Sequence, residues 1–452
     1  MDPKTTKIAV VAVIAVIIVA AAAVVLTSSS KSSSVDIDAA LEVYGNADGD
    51  YKIDKNDLNI VKKVNAGDDG YTLAKYPLAD ANYDGEVTDE DVELVQKILD
   101  KEECTVYHVN YKTTGKKDVR YESYVVDTKW PIVNSIGNGA ANALILYTIL
   151  GIQDKIAAIN YSSGSPPDKT LYPEFAKMES LGTSTMYLTA SKVVEAVAAN
   201  PDITAVITAD NKSYLASKTD GRIDEEGLEK MNIDVIRVKH AAVDPEEYGS
   251  ALLLLGFLYQ AESNAKDAAA WIQEAYNDLD KKISNAVQPK VTATSSKEAL
   301  STLFSDYADV AVQAGGKYTI PADTSSSLKI ADNPWLLEDE YQGEYIINIR
   351  TGSGLGGSWY KAEDPFDMTK LQDVVKDFKD FKAYQNHKVC ITSGDIPIVA
   401  RVLYTAYFYH PDLVSLDYAD QIHQEFVDKF LGGTYKVSGL HFAYTFDEIM
   451  ES

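Results

Sequence analysis

Cysteine is nearly absent from this 452-residue chain: Cys104 and Cys390 are the only two, far apart and in no CxxC pair. Two such residues make neither a disulfide framework nor a thiolate metal centre, and they read as buried free thiols rather than a single bridge. Basic residues are scarce as well. The 42 Lys and Arg stand against 68 Asp and Glu, a formal net charge of -26, which leaves no cationic face to displace counterions from a nucleic acid. No nucleic-acid partner is expected. The six histidines, His108, His240, His387, His410, His423 and His441, show no HExxH or paired spacing, so they read as buried or surface residues rather than metal ligands. The glycine-rich run Gly352–Ser358 matches neither a Walker loop nor a dinucleotide fingerprint and reads as a cleft loop. No Ser-His-Asp elbow or catalytic carboxylate pair stands out, so an enzyme is not expected. Apolar and aromatic residues are not lacking. At 46% and 10% they supply real cores, and the length calls for two or three units.

The first of these features is an unbroken apolar run, Ile8–Leu26, preceded by Lys4 and Lys7. At about 1.5 Å per helical residue it reaches across a hydrocarbon core of about 30 Å, and the positive flank places the short N-terminus inside. The expectation is a single-pass membrane protein with its bulk extracytoplasmic. A cleaved leader with a small-residue site at Ala20–Ala23 is the alternative. The serine-rich stretch Ser28–Ser34 that follows is a flexible spacer by composition. Anchor and spacer together occupy 1–34.

Two acidic loops come next. Asp80, Asn82, Asp84, Thr88 and Asp91 put oxygen ligands at loop positions 1, 3, 5, 9 and 12, with Gly85 at position 6, the spacing by which a tight loop wraps calcium, which takes six to eight oxygens. A second copy lies 34 residues earlier: Asn46, Asp48, Asp50, Asp54 and Asp57. There Tyr51 replaces the glycine and the neutral Asn46 stands at position 1, so this first Ca2+ site is expected to be the weaker. Each loop opens a helix with an apolar face, Leu58, Ile60 and Val61 in one and Val92, Leu94, Val95 and Leu99 in the other. Paired loop-helix repeats without a leading helix resemble a dockerin module, here 35–102. The resemblance implies a small all-α fold held by two Ca2+ ions and docking of a cohesin-domain protein, with Lys55, Asn56, Asp89 and Glu90 facing that partner. A purely structural calcium clip is the other reading.

From Thr105 onward short apolar runs alternate with helical patterns, the mark of βα units around parallel sheets. Strands are expected at Pro131–Ile136, Lys155–Ile159, Ile203–Thr208 and Ile233–Val238, and the pattern restarts at Val291 with strands at Glu344–Arg350 and His387–Thr392. Helices are expected at Ala140–Leu150, Ile398–Phe408 and Asp417–Leu431. Between the two series Ala268, Trp271, Ile272, Ala275 and Leu279 recur at helical spacing. That periodicity predicts one long helix over Ser263–Ala286.

These segments, with Ser135-Ile136-Gly137, Leu150-Gly151-Ile152, Asn200-Pro201-Asp202, Ala314-Gly315-Gly316 and Tyr409-His410-Pro411-Asp412 in order, resemble the helix-linked substrate-binding proteins of ABC importers for cobalamin, haem and iron-siderophore complexes. The resemblance runs over about 121–446. It implies an α/β fold of two Rossmann-like lobes, 103–262 and 287–452, joined by the helix 263–286. It also implies a metal chelate as ligand (corrinoid, haem or ferric siderophore) and an ABC importer permease as partner. Ligands of such sheets bind beyond the carboxyl ends of the strands. The loops there carry Tyr161, Tyr172, Tyr187, Tyr214, Trp359 and Tyr360, flat amphipathic rings suited to a macrocycle, and Arg350, suited to an anionic group. A scaffold or assembly protein whose large domain has lost transport is the alternative.

Overall fold

The computed structural model describes residues 37–219, 221–363 and 365–451. Among the described residues no helix is long and apolar enough to cross a membrane. The single-pass membrane localisation is corrected accordingly, since the run Ile8–Leu26 on which it rested, like the whole of 1–34, lies outside the described residues.

The N-terminal lobe is built on a four-stranded parallel sheet in the order Ile156–Asn160, Asn134–Asn138, Ile203–Ala209, Asp234–Val238. These strands are short and mostly buried, as a parallel sheet covered on both faces requires. The helix Ala141–Leu150 follows the second of them in the sheet and stops at Gly151, whose left-handed backbone (φ 70°) lets its N–H return to the last turn. The C-terminal lobe is built on a five-stranded sheet in the order Lys317–Tyr318, Lys290–Thr294, Tyr345–Arg350, Val389–Ser393 and Ala443–Tyr444. The first four run parallel and the last antiparallel. The linking helix is Glu262–Ile283, with Ala265, Ala268, Ala269, Ile272, Ala275, Tyr276 and Leu279 on its buried face. It packs against the helix before it, Pro245–Leu258, and one apolar core runs from the first lobe through this helix to the second.

Two features were not expected. Residues Cys104–Thr113 and Tyr121–Trp130 form a long antiparallel hairpin in place of the first βα unit. Its fully buried Asn110 donates through Nδ2 to the carbonyl of Val235 (2.8 Å) and accepts from the N–H of Arg237 at Oδ1 (3.1 Å). A side-chain amide thus satisfies the backbone of an otherwise open sheet edge. The second feature is the seating of the acidic module. Val43 bridges to His108 of the hairpin, the N–H of Tyr44 donates to the carbonyl of Tyr107 (2.8 Å) and that of Val109 to the carbonyl of Glu42 (3.1 Å). Ala39, Leu41 and Val43 belong to the same core as the lobes. The module therefore shares hydrophobic contacts and a strand pairing with the large domain.

Candidate functional site

In the acidic module the two loops fold alike because each position-12 carboxylate closes its loop. Asp57 accepts from the N–H groups of Asp48 (3.1 Å) and Asp54 (2.7 Å), and Asp91 from those of Asn82 (3.0 Å) and Thr88 (2.7 Å). These are the same loop positions, 3 and 9, displaced by 34 residues. The same carboxylates complete capping boxes on the helices Lys55–Ala66 and Asp89–Asp100. The loops differ at position 1. Asp80 accepts from the N–H groups of Asp84 (3.0 Å) and Gly85 (2.9 Å), whereas Asn46 donates to the carbonyls of Leu41 and Asp50 (both 2.7 Å).

Charge is crowded in both loops. Burial, with Asp48 beside it, pushes the Asp57 carboxyl up to about 8, and burial lifts Asp50 and Asp80 to about 6. The Oδ1 of Asn46, wholly buried, has no hydrogen-bond partner. Carboxylates held at such a cost and an orphaned oxygen are what a hard cation relieves, and the donor set of oxygens fits calcium. Among the described residues no group of three or more His, Cys, Asp or Glu is arranged to hold a metal ion, the carboxylates of both loops included. Lys55, Asn56, Asp89 and Glu90 are all exposed.

The second region is the seam between the lobes, where the expected ligand residues part company. Tyr172 from the first lobe and Tyr360 from the second meet at one cavity, joined by Tyr435, Asp395 and Thr148, which encloses about 10 Å³, room for about one water. The Tyr360 hydroxyl donates to the carbonyl of Asp395 (2.7 Å). Arg350 donates to the main-chain oxygens of Ser295 (2.6 Å) and Gly354 (3.1 Å), and among the described residues no carboxylate pairs with it. Tyr161 is half-buried and bonded to the carbonyl of Met178 (3.1 Å). Tyr187 lies 3.6 Å beneath the Arg222 guanidinium, and Tyr214 meets Thr185. None of these three lines the cavity.

Trp359 requires a correction. It is 0% exposed, donates its indole N–H to the carbonyl of Arg350 (2.8 Å) and packs on Phe366 and Tyr444, so it belongs to the lobe's core and offers no surface to a ligand. The run Gly352–Ser358 is likewise structured. Its first four residues form a helical turn capped by Thr351.

Sequence reasoning missed the groups that shut the seam. Ser165 and Ser353 share a hydrogen bond of 3.0 Å between the lobes, and Arg401, 3% exposed, donates to Asn142 across it (3.2 Å). Arg401 sits inside an apolar helix, Ile398–Tyr409, and a lone arginine in such a run was the one available signal. Behind the cavity the buried His423 bridges the hydroxyls of Tyr404 (3.1 Å) and Tyr435 (2.8 Å).

Burial drives the His423 imidazole down to about 3. A base whose folded value is depressed contributes stability that is lost as pH falls from its usual 6.5 toward that value. The stability difference between the native chain and His423→Gln is therefore expected to shrink by up to about 1.4 kcal/mol per pH unit on acidification. Denaturant titrations of both proteins at several pH values check this, and parallel pH profiles would contradict it.

No protein-family model matches the chain, and no curated protein sequence matches it. Solved structures do. An ABC transporter solute binding protein from Sulfurospirillum deleyianum is 18% identical, with a TM-score of 0.49 over 68% of this chain and 92% of that one. The TroA-like periplasmic binding protein FepB from Veillonella parvula is 16% identical, with a TM-score of 0.52 over 74% of this chain and 99% of its own. The mixed α/β fold of this chain is that of the TroA-like periplasmic binding proteins.

Proposed function

We propose that the chain is a binding protein that takes a metal chelate (corrinoid, haem or ferric siderophore) between its lobes and hands it to an ABC importer permease, without chemistry. The observation that carries this is the convergence of Tyr172, Tyr360 and Tyr435 from both lobes on one cavity. Arg350, at the end of the strand Tyr345–Arg350, has no carboxylate partner among the described residues. The fold supports it.

A chelate needs a site of about 300–1,000 Å³, so the lobes part at the seam to admit one. Among the contacts that parting breaks are two polar ones, Ser165 with Ser353 and Arg401 with Asn142, each of which regains water at a net cost of about 1 kcal/mol. The same closed seam favours a second reading, in which the large domain is a scaffold that no longer transports.

The acidic module, on this reading, holds Ca2+ in both loops. Asn46, Asp48, Asp50, Asp54 and Asp57 hold one ion, and Asp80, Asn82, Asp84, Thr88 and Asp91 the other. Calcium there neutralises the crowded carboxylates. The exposure of Lys55, Asn56, Asp89 and Glu90 leaves them open to a cohesin-domain protein, while the module's shared core with the first lobe supports a structural clip.

A fluorescence titration of the full chain with a panel of corrinoid, haem and ferric siderophore tests the uptake reading. At least one member is expected to bind more tightly than about 0.1 mM, a free energy of about -5.5 kcal/mol. Failure of every member favours the scaffold.

A further inference from the structure

The hairpin Cys104–Trp130 touches three bodies at once. Midway along its first strand the stretch 42–44 pairs with it at 107–109 and runs directly into the first acidic loop at Asn46. Along its length Asn110 holds the edge strand of the first lobe. At its tip Arg120 forms an ion pair of 2.6 Å with Asp309, which lies on the helix Asp306–Gln313 of the second lobe. Lys117 pairs beside it with Asp323 (2.7 Å).

A row of side chains joins this pairing to the tip. Tyr111 donates to the buried carboxylate of Glu42. The Lys239 ammonium lies 3.8 Å over the Tyr111 ring and 4.6 Å over that of Tyr121, and the Arg120 guanidinium lies 5.1 Å over Tyr121. Only about a quarter of the Arg120 and Asp309 side chains is exposed (22% and 31%), so this pair is screened less than a surface ion pair. A two-stranded ribbon with ten residue pairs, stiffened by stacked cations and rings, is a strap between the lobes. Its root is the acidic module.

We infer that the hairpin couples calcium in the first loop to closure of the lobes: an ordered loop fixes Glu42–Tyr44, which fixes the strap, which holds the second lobe through Arg120 and Asp309. This rests on the calcium reading above, and by linkage whatever closes the lobes also tightens calcium binding. Parting of the lobes requires the Arg120–Asp309 pair to break.

Hydrogen–deuterium exchange of the full chain with and without calcium tests it. Calcium is expected to slow amide exchange in the loops, in both hairpin strands and in the helix Asp306–Gln313. In Arg120→Gln, and independently in Asp309→Asn, protection of the loops and hairpin is expected to persist while that of the helix is lost. Protection confined to the loops in the native chain overturns the strap and leaves the calcium reading standing. Helix protection that survives in both variants also overturns it. No calcium effect on the loops themselves removes the calcium reading and the coupling with it.

Discussion

Trp359→Ala is expected to destabilise the protein by about 3–5 kcal/mol, the range for deleting a large buried aromatic. The side chain is wholly enclosed, its ring meets Phe366 edge-on at 4.6 Å between centroids, and its indole N–H is the partner of the Arg350 carbonyl. Truncation opens a cavity that the surrounding rings fill only in part, while the Arg350 carbonyl keeps its second donor, the N–H of Gly394 (2.7 Å), so the loss is one of packing. Tyr187→Ala is the comparison. Its ring is half-exposed and stacked under Arg222, and a contact of that kind is worth about 0.5–1 kcal/mol. Denaturant unfolding of the two variants decides the matter. A Trp359→Ala midpoint no lower than that of Tyr187→Ala would contradict the core placement and return Trp359 to the ligand surface.

The other large effect concerns calcium. Chelation is expected to lower the melting temperature of the full chain, because an ion that binds only the folded loops stabilises by about 2.7 kcal/mol at a hundred times its dissociation constant. Two binding events are expected by calorimetry, the first loop being the weaker because Tyr51 stands where Gly85 makes the sharp turn of the second loop. Replacing Asp80 and Asp84 together by Ala should leave a single weak event. The effect should also extend beyond the module, since Ala39, Leu41 and Val43 sit in the core of the lobes. Heat absorption identical with calcium and with chelator would remove the ion from the account.

Much of the α/β domain was legible in the sequence because its signals are local. Ile203–Thr208 reads as a strand and forms as Ile203–Ala209. The long helix read over 263–286 forms as Glu262–Ile283, since alanines at every third and fourth position bury one stripe whatever the partner. Gly151 ended its helix as expected, because a left-handed cap has few other occupants. The repeat of the acidic loops was legible too, and the matching hydrogen bonds of Asp57 and Asp91 give it a physical form.

What escaped is non-local. The hairpin was read as the opening of a βα series because strand pairing across Thr113 and Tyr121 leaves no periodic trace that distinguishes it from a parallel strand. Trp359 was placed in the cleft on its position after a strand. A loop residue two turns beyond a strand end can fold back under the sheet as readily as over it, and Phe366 and Tyr444, which decide the direction, lie 7 and 85 positions further along the chain. The contacts of the seam are the extreme case. Ser165 and Ser353 are 188 residues apart, and nothing local marks either.

The seam offers the most direct test of where a ligand enters. The Oγ atoms of Ser165 and Ser353 lie 3.0 Å apart on opposite lobes, so Ser165→Cys and Ser353→Cys set two thiols facing each other across the seam, to be joined by mild oxidation. The two native thiols, Cys104 and Cys390, are half-buried and buried. Titration of this double variant with the chelate that binds the native chain is expected to show native affinity in the reduced form, no binding in the oxidised form, and recovery on adding reductant. Equal affinity in the oxidised and reduced forms would place the ligand elsewhere and contradict capture between the lobes.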